Sequence, residues 1–111
     1  MKIKVTQSGH ITVVVPNGDL DAASAAEMKQ TLKKLIDAGK TCLIMDLDGV
    51  AYIDSAGLGE LVSAMKRARQ AGGDLRLCAL GEEVRRIFEM THLNAEIAVF
   101  PTRKNAVASW S

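Results

Sequence analysis

Cys42–Val50 reads CLIMDLDGV and carries the strongest structural signal in the chain. Its first four residues are apolar without interruption, whereas a strand with one face in water alternates apolar and polar side chains. An unbroken apolar run of this length, followed by aspartates and a glycine, predicts a short strand that is covered on both faces. We therefore expect Cys42–Met45 to be the central strand of a sheet that has helices packed against it.

Upstream of this run the pattern predicts a β-hairpin and then a helix. Apolar residues alternate on both sides of a turn signal at Ser8-Gly9. Asp21 is a natural N-cap for the helix, and Gly39 is a natural C-terminal end. The alternating strand residues are Ile3, Val5, Ile11, Val13 and Val15, and the apolar helix face consists of Ala25, Met28, Leu32, Leu35 and Ile36.

Downstream, helical and strand-like patterns alternate. A second helix starts after Asp54-Ser55 and ends at Gly72-Gly73, with Lys66, Arg67 and Arg69 on a solvated face near its end. The remaining predicted elements are a strand with Leu75 and Leu77, a helix opening at Gly81-Glu82-Glu83, a strand over Ile97–Phe100, and a terminal helix from Pro101-Thr102 whose Trp110 covers the core. This order predicts an α/β fold with a largely parallel sheet.

Length and composition restrict the possible functions. The 111 residues fit one domain, and a formal net charge of +1 provides no general attraction to nucleic acid or to acidic lipid. No apolar run is long enough for a membrane span, so we expect a cytoplasmic protein. Cys42 and Cys78 are isolated from each other and from histidine, and we expect both to be small core residues in a reducing compartment.

An enzymatic function finds little support in the sequence. In open α/β sheets, ligands and substrates bind where strands end and helices begin, and the two junctions of this kind are Gly18–Asp21 and Ile53–Gly59. Ser55 lacks the preceding glycine of a nucleophile elbow, and neither His10 nor His92 is placed to act as its base. The glycines match no nucleotide-binding loop. Asp46, Asp48 and Asp54 do not have the spacing of a metal-binding loop with a terminal glutamate, and acidic residues near strand ends usually cap helices or face solvent.

The chemistry of Ser55 can be interpreted in two ways. Serine before an apolar helical pattern is a favoured N-cap, which would give Ser55 a purely structural role. Gly57 and Gly59, however, are poor residues for the start of a helix that needs only stability. We expect these small residues to leave the serine open to approach by another molecule.

The two junctions carry a resemblance to a known family. Asp54-Ser55-Ala56-Gly57-Leu58-Gly59, together with Gly18-Asp19-Leu20-Asp21, resembles the signature of the STAS domain in bacterial anti-sigma factor antagonists. The similarity extends over essentially all of residues 1–111, including Gly72-Gly73 and Val84–Met90. It implies a single STAS-like domain with a mixed, mostly parallel sheet of about five strands and about four α-helices.

The resemblance also implies a non-enzymatic role in a partner-switching relay. An anti-sigma factor with serine kinase activity would bind the unphosphorylated protein, release its sigma factor, and in time phosphorylate Ser55, which abolishes binding. A phosphatase of the PP2C type would reverse the modification. The implied partner surface consists of Asp19, Asp21, Asp54, Ser55, Ala56, Gly57, Leu58 and Gly59, and Asp19 takes a place often held by glutamate.

The implied relay requires no cofactor or metal on this chain, because ATP and magnesium belong to the kinase. Nucleic acid and membrane insertion are not expected. Two alternatives stay open: a STAS subunit of a lipid-transport or sensory complex, and a partner-switch protein whose final target is not a sigma factor.

Overall fold

A computed structural model describes residues 1–110, and within them it contains five strands and four α-helices. The strands are β1 (Lys2–Ser8), β2 (Ile11–Asn17), β3 (Cys42–Asp46), β4 (Asp74–Cys78) and β5 (Val99–Phe100). The helices are α1 (Ala22–Asp37), α2 (Ser55–Gln70), α3 (Glu82–Met90) and α4 (Arg103–Ala108), with a short 3₁₀ turn at Leu93–Ala95 that the sequence pattern did not predict.

The strands form one sheet in the order β1-β2-β3-β4-β5. β1 is antiparallel to β2, and all other neighbours are parallel, so the prediction of a mixed, mostly parallel sheet is confirmed. Met45 of β3 pairs with Val14 on one side and with Leu77 on the other, and Met45 is fully buried. The apolar run therefore forms the central strand, as predicted.

The hairpin between β1 and β2 closes through the two residues Gly9 and His10, because Ser8 pairs directly with Ile11. Gly9 has a φ of +64°. This left-handed conformation is typical of a two-residue hairpin turn and favours glycine at that position.

Side chains on the two faces of the sheet form two separate cores. The larger core lies under α1, α2 and α3 and includes Met28, Leu61 and Phe88. The smaller core lies under α4 and includes Cys78, with Cys42 and Trp110 packed at its margin. Burial raises the pKa of the Cys78 thiol to about 12, which agrees with its predicted role as a core residue.

Three details of the sequence interpretation were wrong. β5 contains only Val99 and Phe100, because the Ile97 N–H donates to the Leu93 carbonyl of the 3₁₀ turn at 3.0 Å and not to the sheet. The solvated face predicted near the end of α2 is partly tied down: Arg67 Nη2 lies 2.6 Å from buried Glu60, and Arg69 Nε lies 2.8 Å from Asp74. Asp46 is neither a helix cap nor solvated.

Asp46 is buried at the end of β3, where its carboxylate lies 2.7 Å from Nη2 of Arg103 at the start of α4. Trp110 shields the smaller core as predicted, and the Arg76 guanidinium stacks on it at 3.8 Å from the ring centroid. These two contacts tie the chain after β5 to the sheet.

Candidate functional site

The two predicted junctions lie side by side at one edge of the fold. Leu20 and Ile53 form an isolated parallel bridge. The Leu20 N–H donates to the Tyr52 carbonyl at 3.0 Å, and the Asp54 N–H donates to the Leu20 carbonyl at 3.0 Å. Residues 18–21 and 53–59 are therefore one continuous area, which we call the candidate surface.

Ser55 is the first residue of α2, and Asp54 is its N-cap. The Asp54 carboxylate accepts a hydrogen bond of 3.0 Å from the Gly57 N–H, and the Asp54 backbone is extended. The expectation that Ser55 caps this helix was wrong, because the neighbouring aspartate, an equally good capping residue, occupies that position. The Ser55 side chain is thus not needed for capping, and it is exposed.

The residues that follow Ser55 differ in accessibility. Ala56 and Gly59 are exposed, whereas Leu58 is half-buried and packs against the larger core. The Ser55 side chain therefore stands beside small, accessible residues on the first turn of α2.

Gly57 is buried in the isolated domain, and its place on a partner surface stays a prediction. A Cβ atom at this position would lie 2.5 Å from the Leu20 carbonyl oxygen and 2.9 Å from the Ile53 Cγ1. Glycine is required here because the 18–21 loop passes directly over the helix, and not in order to leave Ser55 open. Gly59 differs, because an added Cβ there would meet nothing within 4 Å.

The three predicted carboxylates have different roles. Asp21 caps α1: its carboxylate accepts from the Ser24 N–H at 3.1 Å, and Ser24 Oγ accepts from the Asp21 N–H at 2.9 Å. The hydrogen bond that the Ser24 N–H donates to the Asp21 carboxylate is the main reason why the pKa of Asp21 lies below its ordinary value. Asp54 caps α2, and Asp19 is exposed, so two of the three acids are already bound to helix N-termini.

The candidate surface is nevertheless negatively charged. Among the ion pairs of residues 1–110, none includes Asp19, Asp21 or Asp54.

Residues 1–110 contain no group of three or more His, Cys, Asp or Glu side chains arranged to hold a metal ion. None of the helices in this range is both long enough and apolar enough to cross a membrane.

The sequence matches the STAS domain family over residues 2–106. The chain belongs to the STAS domain family. This STAS domain is 35% identical to an anti-sigma-B factor antagonist of Listeria monocytogenes over 99 residues, which are 89% of this chain and 86% of the relative.

Solved structures agree with the fold of this STAS domain. An anti-sigma factor antagonist of Thermotoga maritima superimposes with a TM-score of 0.91 and 23% identity, covering 96% of this chain and 92% of that one. Bacillus SpoIIAA in its phosphorylated form superimposes with a TM-score of 0.75 and 18% identity, covering 99% of this chain and all of that one (100%).

One residue that shapes the candidate surface was missed by the sequence interpretation. Ser24 is buried, and its hydroxyl donates to the Asp19 carbonyl at 2.7 Å, which fixes the loop between β2 and α1. A serine three residues after a capping aspartate is the available signal, since it completes a reciprocal pair of hydrogen bonds with the cap.

Proposed function

We propose that this STAS domain is an anti-sigma factor antagonist in a partner-switching relay, with Ser55 as its phosphorylation site. The unphosphorylated form binds an anti-sigma factor that is also a serine kinase, and phosphorylation of Ser55 ends that binding. A PP2C-type phosphatase restores the first state. Membership of the STAS family and the name of the Listeria relative support this role.

The observation that carries the proposal is the position of Ser55. It is exposed at the first residue of α2, while the neighbouring Asp54 performs the capping. A kinase can therefore reach the Ser55 hydroxyl, and no capping contact of α2 has to break when that hydroxyl is esterified.

A phosphate at this position is compatible with the fold. It adds about −1.5 to −2 charges, and the N-terminus of an α-helix stabilises negative charge through its dipole and free N–H groups. The isolated domain should therefore keep its structure when Ser55 is phosphorylated.

Phosphorylation of Ser55 should instead weaken the complex with the anti-sigma factor. Asp54 adjoins the phosphate in sequence, Asp19 and Asp21 lie on the neighbouring loop, and none of the three has a cationic partner within residues 1–110. A partner that covers this area would have to bury a dianion without a countercharge from this chain. A difference of about 3 kcal/mol would already lower the affinity more than a hundredfold.

The proposal can be tested with the soluble anti-sigma factor that co-purifies with the protein from its source cell. The domain is incubated with this factor, ATP and magnesium, and the modified residue is mapped by mass spectrometry. We expect one phosphate on Ser55 and none after Ser55→Ala. Ser63→Ala is the matched control, since Ser63 is an exposed serine on the same helix. Modification that persists in Ser55→Ala, or recovery of membrane ATPase subunits in place of a kinase, would refute the proposal.

A further inference from the structure

Tyr52 is an aromatic residue that the fold leaves unpacked. Its side chain is 50% exposed, whereas Phe88 is 1% exposed and Trp110 lies under the Arg76 guanidinium. A half-exposed ring buries less apolar area in the fold than a core side chain does, and tyrosine is enriched among the residues that dominate protein–protein binding.

Leu20 holds the backbone of Tyr52 and Ile53 in place. The Tyr52 carbonyl accepts from the Leu20 N–H, and the next residue, Ile53, is 2% exposed and forms the bridge with Leu20. Because Ile53 is fixed in the core, the Tyr52 ring is presented from a rigid segment. A tyrosine has only two side-chain torsions to order, so little conformational entropy is lost when its ring binds.

Tyr52 also lies close to Ser55. Two residues lie between them in the chain, so their Cα atoms are at most about 11 Å apart. An ordinary interface of about 800 Å² per partner that includes Ser55 is large enough to reach Tyr52 as well.

Gly59, one helical turn after Ser55 on α2, leaves room for close approach. It lies in the interior of α2, where glycine destabilises a helix by about 1 kcal/mol relative to alanine. Nothing within 4 Å would oppose a Cβ there, so the domain itself has no need of a glycine. The missing side chain instead allows another molecule to approach the helix backbone closely.

We propose that Tyr52 is the apolar anchor of the complex with the anti-sigma factor. This inference rests on the proposed function: an apolar pocket of the kinase receives the Tyr52 ring, while a segment of the kinase packs over Gly59 and places Ser55 at the active site. Tyr52 sets the affinity of the complex, and Ser55 sets its dependence on phosphorylation.

The two roles predict different kinetics. Tyr52→Ala should raise the KM for phosphorylation of Ser55 and leave kcat unchanged, because the chemistry at the serine is intact once the complex forms. A merely structural role for the ring would instead lower the stability of the domain, and KM would then follow the fraction that is unfolded.

The experiment measures affinity for the co-purifying anti-sigma factor by calorimetry, together with steady-state phosphorylation of Ser55. For Tyr52→Ala we expect at least a tenfold loss of affinity, an unchanged kcat and an unchanged midpoint of urea unfolding. Tyr52→Phe should keep the affinity within about threefold, because the ring is retained. Met90→Ala is the control, since Met90 is 72% exposed at the far end of α3.

The outcomes separate this inference from the proposed function. If the wild type is bound and phosphorylated on Ser55, but Tyr52→Ala binds equally well or loses no more affinity than Met90→Ala, the anchor is refuted and the relay stands. If the wild type is neither bound nor phosphorylated, both are refuted.

Discussion

At the scale of single residues, Gly57 and Gly59 have opposite surroundings although they are two positions apart in α2. A Cβ at residue 57 would lie 2.5 Å from the Leu20 carbonyl oxygen, whereas a Cβ at residue 59 would meet nothing within 4 Å. The first glycine is a requirement of the fold, and the second is not.

This contrast predicts opposite changes in stability. Gly57→Ala should lower the free energy of unfolding by about 1–3 kcal/mol, because the 18–21 loop must move away from the helix. Gly59→Ala is the matched control and should raise it by up to about 1 kcal/mol. Urea denaturation of both variants measures the difference. Equal effects of the same sign would show that the 18–21 loop does not press on residue 57.

Asp21 predicts a pH dependence of stability. Its pKa is lowered in the folded state by the hydrogen bonds from Ser24, so its contribution is present above the unfolded pKa of about 3.9. That contribution is lost as the pH falls through the lowered folded value.

As the pH falls from about 5 to about 2, the wild type should therefore lose stability relative to Asp21→Asn. Urea unfolding midpoints of both proteins across this range measure the change. Asp37→Asn is the control, because Asp37 is an exposed acid at the other end of the same helix. A difference that stays constant with pH would contradict the capping role of the carboxylate.

At the scale of elements, α4 is attached to the sheet by charged contacts as well as by its buried Ala106. Arg103 Nε donates to the Asp46 carboxylate at 2.9 Å, and Arg76 Nη1 donates to the Ser109 hydroxyl at 2.6 Å. A six-residue helix has too few turns to be stable by itself, so these contacts with the sheet hold it in place.

Removing Arg103 should weaken this attachment. Arg103→Ala leaves the buried Asp46 carboxylate with the Asp48 N–H as its hydrogen-bond donor, and we expect a loss of about 1–3 kcal/mol in the free energy of unfolding. Lys104→Ala, at the next position of the same helix, is exposed and should change it by less than about 0.5 kcal/mol. Thermal or urea unfolding that cannot distinguish the two variants would refute the role of the ion pair.

Local patterns predicted most of the elements, and they failed where distant residues decide the outcome. The hairpin, the central strand and the Asp21 cap were confirmed because turn residues, apolar spacing and capping chemistry are all local signals. The predicted length of β5 was wrong because the Ile97 N–H bonds the Leu93 carbonyl of a 3₁₀ turn that the strand pattern did not predict. The prediction that Asp46 caps a helix or faces solvent was wrong because its partner Arg103 lies 57 residues further along the chain.

For the candidate surface, too, local signals were predictive and contacts between distant residues were not. The sequence identified residues 18–21 and 53–59 as strand-to-helix junctions, and the bridge between Leu20 and Ile53 places them side by side. The reason for Gly57 was misjudged, because its contact with Leu20 depends on how closely two loops approach in space. Choosing between Asp54 and Ser55 as the cap was beyond sequence rules, which favour both residue types.

At the scale of the whole molecule, a formal net charge of +1 conceals an uneven distribution. The candidate surface contains three carboxylates without ion-pair partners among residues 1–110, while arginines such as Arg69, Arg76 and Arg103 are engaged in ion pairs elsewhere. A phosphate of about −1.5 to −2 charges on Ser55 reverses the sign of the net charge, and it does so at the place that is already negative.

The affinity of the anti-sigma factor for the two phosphorylation states tests the central claim most directly. The domain is phosphorylated to completion by the co-purifying kinase, repurified, and titrated beside the unmodified protein and Ser55→Ala. We expect tight binding of the unmodified domain and of Ser55→Ala, and an affinity at least about a hundredfold lower for the phosphorylated form. Affinities equal within about threefold, with Ser55 fully phosphorylated, would contradict the account.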